Sequence, residues 1–468
     1  MRMRAQVPPG LLSWGPVRCL VRSPIFPVGV QIAFLGAVAA LAANGWRVGA
    51  GRTPDELMVL RKTNLTTLFV WGLWWPGMIA AALAFGRVWC TVCPMELANR
   101  AGDALARLGG WPRARLGKIL RAGWLVVFIY LVLQFLVAGA SLHRNPHLTA
   151  VMLLALLWLA LAAGVFFRER RSFCRAFCPA AALLSAYGRY TPVQLEARDP
   201  SVCEACETKE CVREANRDRF DKRSCPSLLV PYRRAASDGC VLCLQCAKVC
   251  PHGNMDFGPT AADAPVRRKA LLLPYEAAFV LVAFGFVAHE VIGEVKHLDR
   301  IFHAVPLRLN ALSPGVPFGW FEAVWFLAIF PLAAWAVVAG AAFVAGHRGG
   351  LKNLLLAAAT GAAPIVAVAH LGKAAAKVSS WSGFLPLAMR DPRGTETLAR
   401  LAGGGLPAPK SFVELSVLGW AMIALVFFAG WIAARWSRGL PADSFVAARA
   451  GLGISFLLFA AVFAVWIR

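Results

Sequence analysis

The sequence predicts a mainly α-helical, polytopic membrane bundle of about nine spans, each near the usual length of about 20 residues, with a small α+β two-cluster ferredoxin-like segment inserted in it. Three observations lead there. Of 468 residues, 58% are hydrophobic and 17 are Trp, the composition of a multi-pass membrane protein. The apolar residues fall in runs of span length, separated by polar connections rich in Arg. Eight of the 13 cysteines lie in one polar stretch, 203–250, at spacings suited to iron–sulfur ligation.

A net charge of +24 would point a soluble protein towards nucleic acid. Here the arginines flank apolar runs, so membrane topology and anionic lipid account for the charge, and no nucleic-acid partner is expected. Thirteen cysteines would suggest disulfides in a secreted chain. Their grouping in one polar segment argues instead for reduced thiolates facing the cytoplasm.

In chain order, residues 1–27 carry Arg2, Arg4, Arg18 and Arg22 and no acid, so they should stay inside. Cys19 stands alone there as an unpaired thiol. The first apolar run, 28–44, is short for a span, and its basic lead and small residues Ala37 to Ala43 equally fit a cleaved signal peptide. Spans follow at 65–85, 120–140 and 148–167. Together they make an N-terminal membrane domain, 1–189, built as two copies of one unit: a hairpin of spans, a basic collar, a Cys pair with Pro, then a short helix. A cytoplasmic domain fills 190–265. Five more spans, 270–292, 321–345, 351–371, 415–434 and 447–467, form a third domain, 266–468. The 86–121 loop holds seven Lys and Arg against two acids, and the cysteine-rich loop is also strongly basic. The positive-inside rule puts both in the cytoplasm and gives an N-in, C-out topology in a bacterial inner membrane.

The stretch Cys240-Val-Leu-Cys243-Leu-Gln-Cys246-Ala-Lys-Val-Cys250-Pro251 has the C-x2-C-x2-C-x3-C-P spacing in which three thiolates hold one [4Fe–4S] cluster and the fourth serves another. Upstream stand Cys203, Cys206, Cys211 and Cys225-Pro226. That rule pairs Cys203, Cys206, Cys211 and Cys250 on one cluster and Cys240, Cys243, Cys246 and Cys225 on the second. The upstream spacing is irregular, and four thiolates also suit zinc. His252, after Cys250-Pro251, reads as local packing.

Two further pairs fall at the cytoplasmic ends of spans: Cys90-Thr-Val-Cys93-Pro94 and Cys174-Arg-Ala-Phe-Cys178-Pro179. If the two hairpins pack side by side, the four thiols converge under the bilayer, where they would ligate a further cluster or metal or work as redox dithiols. Arg87, Arg171 and Arg175 are placed to stabilise thiolates. The plain alternative is four small buried residues at turns.

Arg171-Ser-Phe-Cys174-Arg-Ala-Phe-Cys178-Pro179, followed by the two-cluster segment, resembles the NosR/NapH-type membrane polyferredoxins over roughly residues 60–260. The pair at Cys90 and Cys93 is one residue shorter than the family pattern. The family includes a quinol-dehydrogenase subunit, an electron-supply protein and a copper-handling assembly factor of respiratory enzymes. The resemblance implies electron transfer linked to the quinone pool or to a periplasmic acceptor, with redox partner proteins on one or both sides of the membrane.

No such resemblance covers the last five spans. His289-Glu290 ends one span and His370 another, with His297 and His303 beyond the first and Lys373 and Lys377 beyond the second. On the expected topology His289 and His370 lie near the outer face, level with Glu322, Glu414, His143 and His147. Intramembrane ionisable groups point to function. A bis-histidine b-type haem on His289 and His370, a quinone headgroup pocket and a copper site all fit, and so does simple anchoring at the interface. Lys373 and Lys377 share a face with His370 and read as a basic surface for lipid headgroups.

The function expected is transmembrane electron transfer, between a cytoplasmic donor or the quinone pool and an acceptor at or beyond the outer face. Two alternatives belong to other classes: a copper-reducing assembly factor for a respiratory enzyme, and a redox sensor or scaffold. The chain has no GxGxxG loop, which argues against its oxidising NADH itself.

Overall fold

The computed structural model describes the chain except residues 1–11, 13, 50, 218, 220, 221, 228, 232–239 and 260–270. The basic lead at Arg2 and Arg4, the end of the expected 190–265 domain and the start of the expected 270–292 span lie outside the described residues. Among the described residues, eight helices are long and apolar enough to cross a membrane, and Trp124–Gly139 is a shorter apolar helix. The chain is a multi-pass membrane protein. Its sixteen-residue helix at Trp124–Gly139 is about 24 Å long, less than the hydrocarbon thickness of about 30 Å.

The first apolar run forms Val28–Gly45 and packs into the bundle against Pro94–Leu108 and Pro146–Phe166. Buried Gln31 on it donates its side-chain amide to the Thr91 carbonyl (2.9 Å) and to the Glu96 carboxylate (2.8 Å). Two spans contain a widened π-helical turn, Leu68–Trp74 and Trp325–Ile329, and each stands just before a proline, Pro76 or Pro331. Proline has no N–H to give to the preceding turn, and a wider turn absorbs that loss.

The second half departs from the expected boundaries. Leu351–Trp381 runs ten residues past the expected end at 371, straight through Pro364, as a 31-residue helix. Lys373 and Lys377 had marked a boundary because an isolated charge inside a span is costly. The structure turns them inward instead. The Lys373 ammonium lies 2.6 Å from Glu294 and 3.4 Å from Glu290, and Lys377 lies 3.8 Å from Glu290. Paired charges can continue a helix where single ones would end it, so these lysines are not a face for lipid headgroups.

Small residues let this long helix sit close to Ala442–Trp466. A Cβ at Gly361 would lie 2.0 Å from the Ala448 carbonyl oxygen, and one at Gly451 would lie 2.2 Å from that of Ala358. Such reciprocal contact is how helices associate in lipid, where hydrophobic burial gives little preference for protein over solvent.

Glu276 locks the two halves together. Its carboxylate, 1% exposed, accepts from the Ser185 hydroxyl, from the Arg189 guanidinium (2.8 Å) and from the backbone N–H of Leu273 (2.9 Å). Glu276→Ala leaves Arg189 facing an uncompensated buried site, a change that typically costs about 3–5 kcal/mol. A clear fall in the thermal unfolding midpoint in detergent is the expected result.

Candidate redox site

The polar segment between the halves is held by a two-stranded antiparallel sheet, Val193–Ala197 against Met255–Pro259, with Leu195 opposite Phe257. Inward-facing Leu195, Met255 and Phe257 pack with Leu242 and Cys246. The cysteines sit on the loops that this sheet closes.

Those loops carry an unusual backbone. Leu242 (φ 51°) and Leu244 (φ 57°) both adopt the left-handed conformation on either side of Cys243. Branched side chains seldom do so, and alternation of this kind turns successive N–H groups into a concave nest of the sort that holds anions and iron–sulfur centres. Lys209 (φ 43°), before Cys211, and Arg171 (φ 57°), before Cys174, repeat the feature.

The eight cysteines line two neighbouring cavities. Cys203, Cys206, Cys211 and Cys250 line one cavity. Burial raises the Cys211 thiol to about 11, with the charges of Cys250, Cys203 and Cys206 adding to it. Cys225, Cys240, Cys243 and Cys246 line another. There burial, then Cys225 and Cys240, push the Cys243 thiol up to about 12. The Cys225 N–H donates to the Cys211 carbonyl (2.8 Å), tying one set to the other. Cys246 borders both cavities.

The four membrane cysteines also come together: Cys90, Cys93, Cys174 and Cys178 line a single cavity. Burial, then Cys174 and Cys90, raise the Cys178 thiol to about 12. Burial works against the Arg171 guanidinium, yet Cys174, Cys90 and Glu96 around it hold its pKa above the ordinary value. The one-residue difference between the pairs is absorbed locally. Cys90 lies in the short turn Trp89–Val92 and Cys93 caps Pro94–Leu108, whereas Cys174 lies in Ser172–Ala176 with Cys178 just beyond it.

The three sets stand in order. Cys90 of the membrane set and Cys243 border one polar pocket with Glu96, Arg171 and Arg223. The Thr91 hydroxyl donates to the Val241 carbonyl (2.6 Å), and Arg223 pairs with Glu96 (2.9 Å). From the other motif Arg171 donates to the Ser227 hydroxyl (3.2 Å) and Arg175 to the Ser227 carbonyl (3.4 Å). The basic collars thus fasten the polar segment to the membrane motifs.

Asn254 escaped sequence reasoning. Its side-chain amide donates to Cys203 Sγ (3.2 Å) and its backbone N–H to Cys250 Sγ (3.4 Å). Nothing in its local sequence marks it, because the sheet brings it there.

Four thiols to a set are the donor chemistry of a cubane cluster. Zinc with Zn–S bonds of about 2.3 Å needs its sulfurs about 3.8 Å apart. Among the described residues no three cysteine sulfurs fall within 4.8 Å of one another. A cubane separates its thiolates more widely and also accepts N–H hydrogen bonds at sulfur.

Towards the other end of the bundle, the membrane cysteines open on an apolar cavity walled by Trp71, Trp74, Trp75 and Trp89. Trp71 and Trp75 also wall a polar chamber with Gln134, His143, Glu290, His370, Lys373 and Lys377. His370 is 2% exposed, and its Nδ1 lies 3.1 Å from the Tyr187 hydroxyl. It stands within the helix Leu351–Trp381, whose end lies beyond the expected boundary at 371. His289 takes other partners, with Nδ1 3.1 Å from His303 Nε2 and its ring stacked on Phe326. The two histidines, which one of the readings placed on a shared haem, therefore enter different clusters.

No family model matches the chain, and no solved structure matches it. It is 28% identical over 188 residues, 38% of its length, to an uncharacterized protein of Methanocaldococcus jannaschii, of which it covers 68%.

Proposed function

We propose that the chain carries single electrons across a bacterial inner membrane, between a cytoplasmic donor or the quinone pool and an acceptor at or beyond the outer face. The observation that carries this reading is the row of three four-cysteine sets, each bordering the next. Cys203, Cys206, Cys211 and Cys250 would hold one [4Fe–4S] cluster and Cys225, Cys240, Cys243 and Cys246 the other, in a ferredoxin-like segment on the cytoplasmic side. Bound there, the clusters supply one-electron chemistry. Asn254 donates to two of the sulfurs and so favours the electron-rich state. Arg171 stabilises negative charge on Cys90 and Cys174. The apolar cavity beside the membrane set suits a quinone, and the adjoining chamber offers His370 and Glu290 as proton acceptors.

The test is metal and acid-labile sulfide analysis of protein purified without oxygen, with low-temperature EPR before and after dithionite. About eight iron per chain and two interacting reduced clusters are expected, with about four more if the membrane cysteines hold a third. Zinc in place of iron would end the electron-transfer reading.

A further inference from the structure

We propose that His289, His303 and Glu322 form a binding site for a first-row divalent metal ion of the zinc and copper class. The site goes beyond the electron-transfer reading and does not rest on it. It lies at the other end of the bundle, for His289 is roughly 20 Å further along its helix than Glu276.

The three residues come from different elements. His289 is on Pro274–Ile292, His303 sits between Lys296–Phe302 and Ala304–Leu312, and Glu322 is on Phe318–Val324. One donor atom from each lies within 4.8 Å of the other two. His303 Nε2 is 3.1 Å from His289 Nδ1 and 3.4 Å from Glu322 Oε1. Donors held 2.0–2.1 Å from a common ion stand about 2.9–3.4 Å apart, so two of the edges already have coordination spacing.

The orientation of His303 makes the case specific. Its Nδ1 faces Asp299, 2.9 Å from the carboxylate and 3.0 Å from the carbonyl. Both are acceptors, so the proton belongs on Nδ1 and the Nε2 lone pair points at His289 and at the Glu322 carboxylate. A proton on Nε2 or on His289 Nδ1 would bridge these contacts pairwise, whereas a single cation would engage His289, His303 and Glu322 together. Carboxylate–histidine–metal relays have this arrangement, with the outer carboxylate fixing the tautomer. The surroundings are dry and stiff. The His289 ring lies 4.3 Å above Phe326, and Phe302 and Phe318 pack edge-on against His303. Of the nearby cations, Lys373 and Lys377 serve Glu290 and Glu294, while Arg144 hydrogen-bonds His143 and adds a favourable charge near Glu322. Two imidazoles and one carboxylate, poor in thiolate and rich in nitrogen, select the zinc and copper class over calcium or magnesium.

The full chain in detergent is stripped with chelator, given one equivalent of zinc(II), desalted and read by zinc K-edge X-ray absorption. The expected first shell is nitrogen and oxygen at about 2.0–2.1 Å with imidazole scattering. His303→Gln and Glu322→Gln should lose that shell, and Asp299→Asn, a positioning change, should weaken retention by about 10–100-fold. A sulfur shell at about 2.3 Å in the unmodified protein would show the cysteines binding the ion and overturn the site. An unchanged nitrogen and oxygen shell in His303→Gln would mean an adventitious ion only and overturn it too. If His303→Gln and Glu322→Gln fail to fold, Asp299→Asn decides, and undiminished retention there sinks the proposal.

Discussion

Cys243→Ser is expected to remove about half of the iron and half of the visible absorption, and Cys203→Ser the other half, since each belongs to one of two four-iron sets. The decisive variant is Cys250→Ser. In sequence Cys250 follows Cys246 closely, but the structure sets it with Cys203, Cys206 and Cys211. Its spectral signature should therefore match that of Cys203→Ser and differ from that of Cys246→Ser. Reduced-state EPR separates the two, because the remaining cluster differs in its surroundings: Asn254 donates to sulfurs of one set only. Matching losses in Cys250→Ser and Cys246→Ser would break the assignment, and full iron in Cys243→Ser would break the whole ligand reading. Removing the metal has a sign as well. With burial raising Cys211 to about 11 and Cys243 to about 12, those two thiols are neutral at neutral pH, so loading must release their protons and weakens as pH falls.

That the cysteines would gather was legible because cysteine spacing is a local signal. Three thiolates within seven residues leave a loop few ways to fold, and the crossing over of the fourth follows from the two-cluster rule. Span positions were legible for a similar reason, since hydrophobic length is nearly all that a bilayer reads. The failures have one physical source. Lys373 and Lys377 looked like a helix end because their partners, Glu290 and Glu294, lie on another span, and sequence does not disclose pairing between spans. His289 was singled out, but its partners His303 and Glu322 come from two further elements whose approach only packing sets. Asn254 was invisible because it acts through a strand pairing some sixty residues wide. Gln31, which ties the first apolar helix to Thr91 and Glu96, was lost in a run of apolar residues.

Serine at both Cys90 and Cys174 should abolish electron flow between a quinol analogue and the cluster segment while leaving that segment's dithionite-reduced EPR signals intact. The two residues come from different Cys–Pro motifs, so the double change strikes the four-cysteine set from both sides. The fold should tolerate it, because serine is smaller than cysteine and the fastening of the segment does not use these sulfurs. The Thr91 hydroxyl still reaches Val241, Arg223 still pairs with Glu96, and Arg171 still reaches Ser227. What disappears is the group that stands between the apolar cavity and Cys243. Dithionite reaches the polar segment from water and bypasses that group, whereas a quinol confined to the bilayer does not. The two reductants thus separate a broken path from a broken protein. Loss of both signals would mean that the sulfurs hold the structure together. Unchanged reduction by quinol would remove the membrane cysteines from the path and leave the cluster segment to exchange electrons on its own side alone.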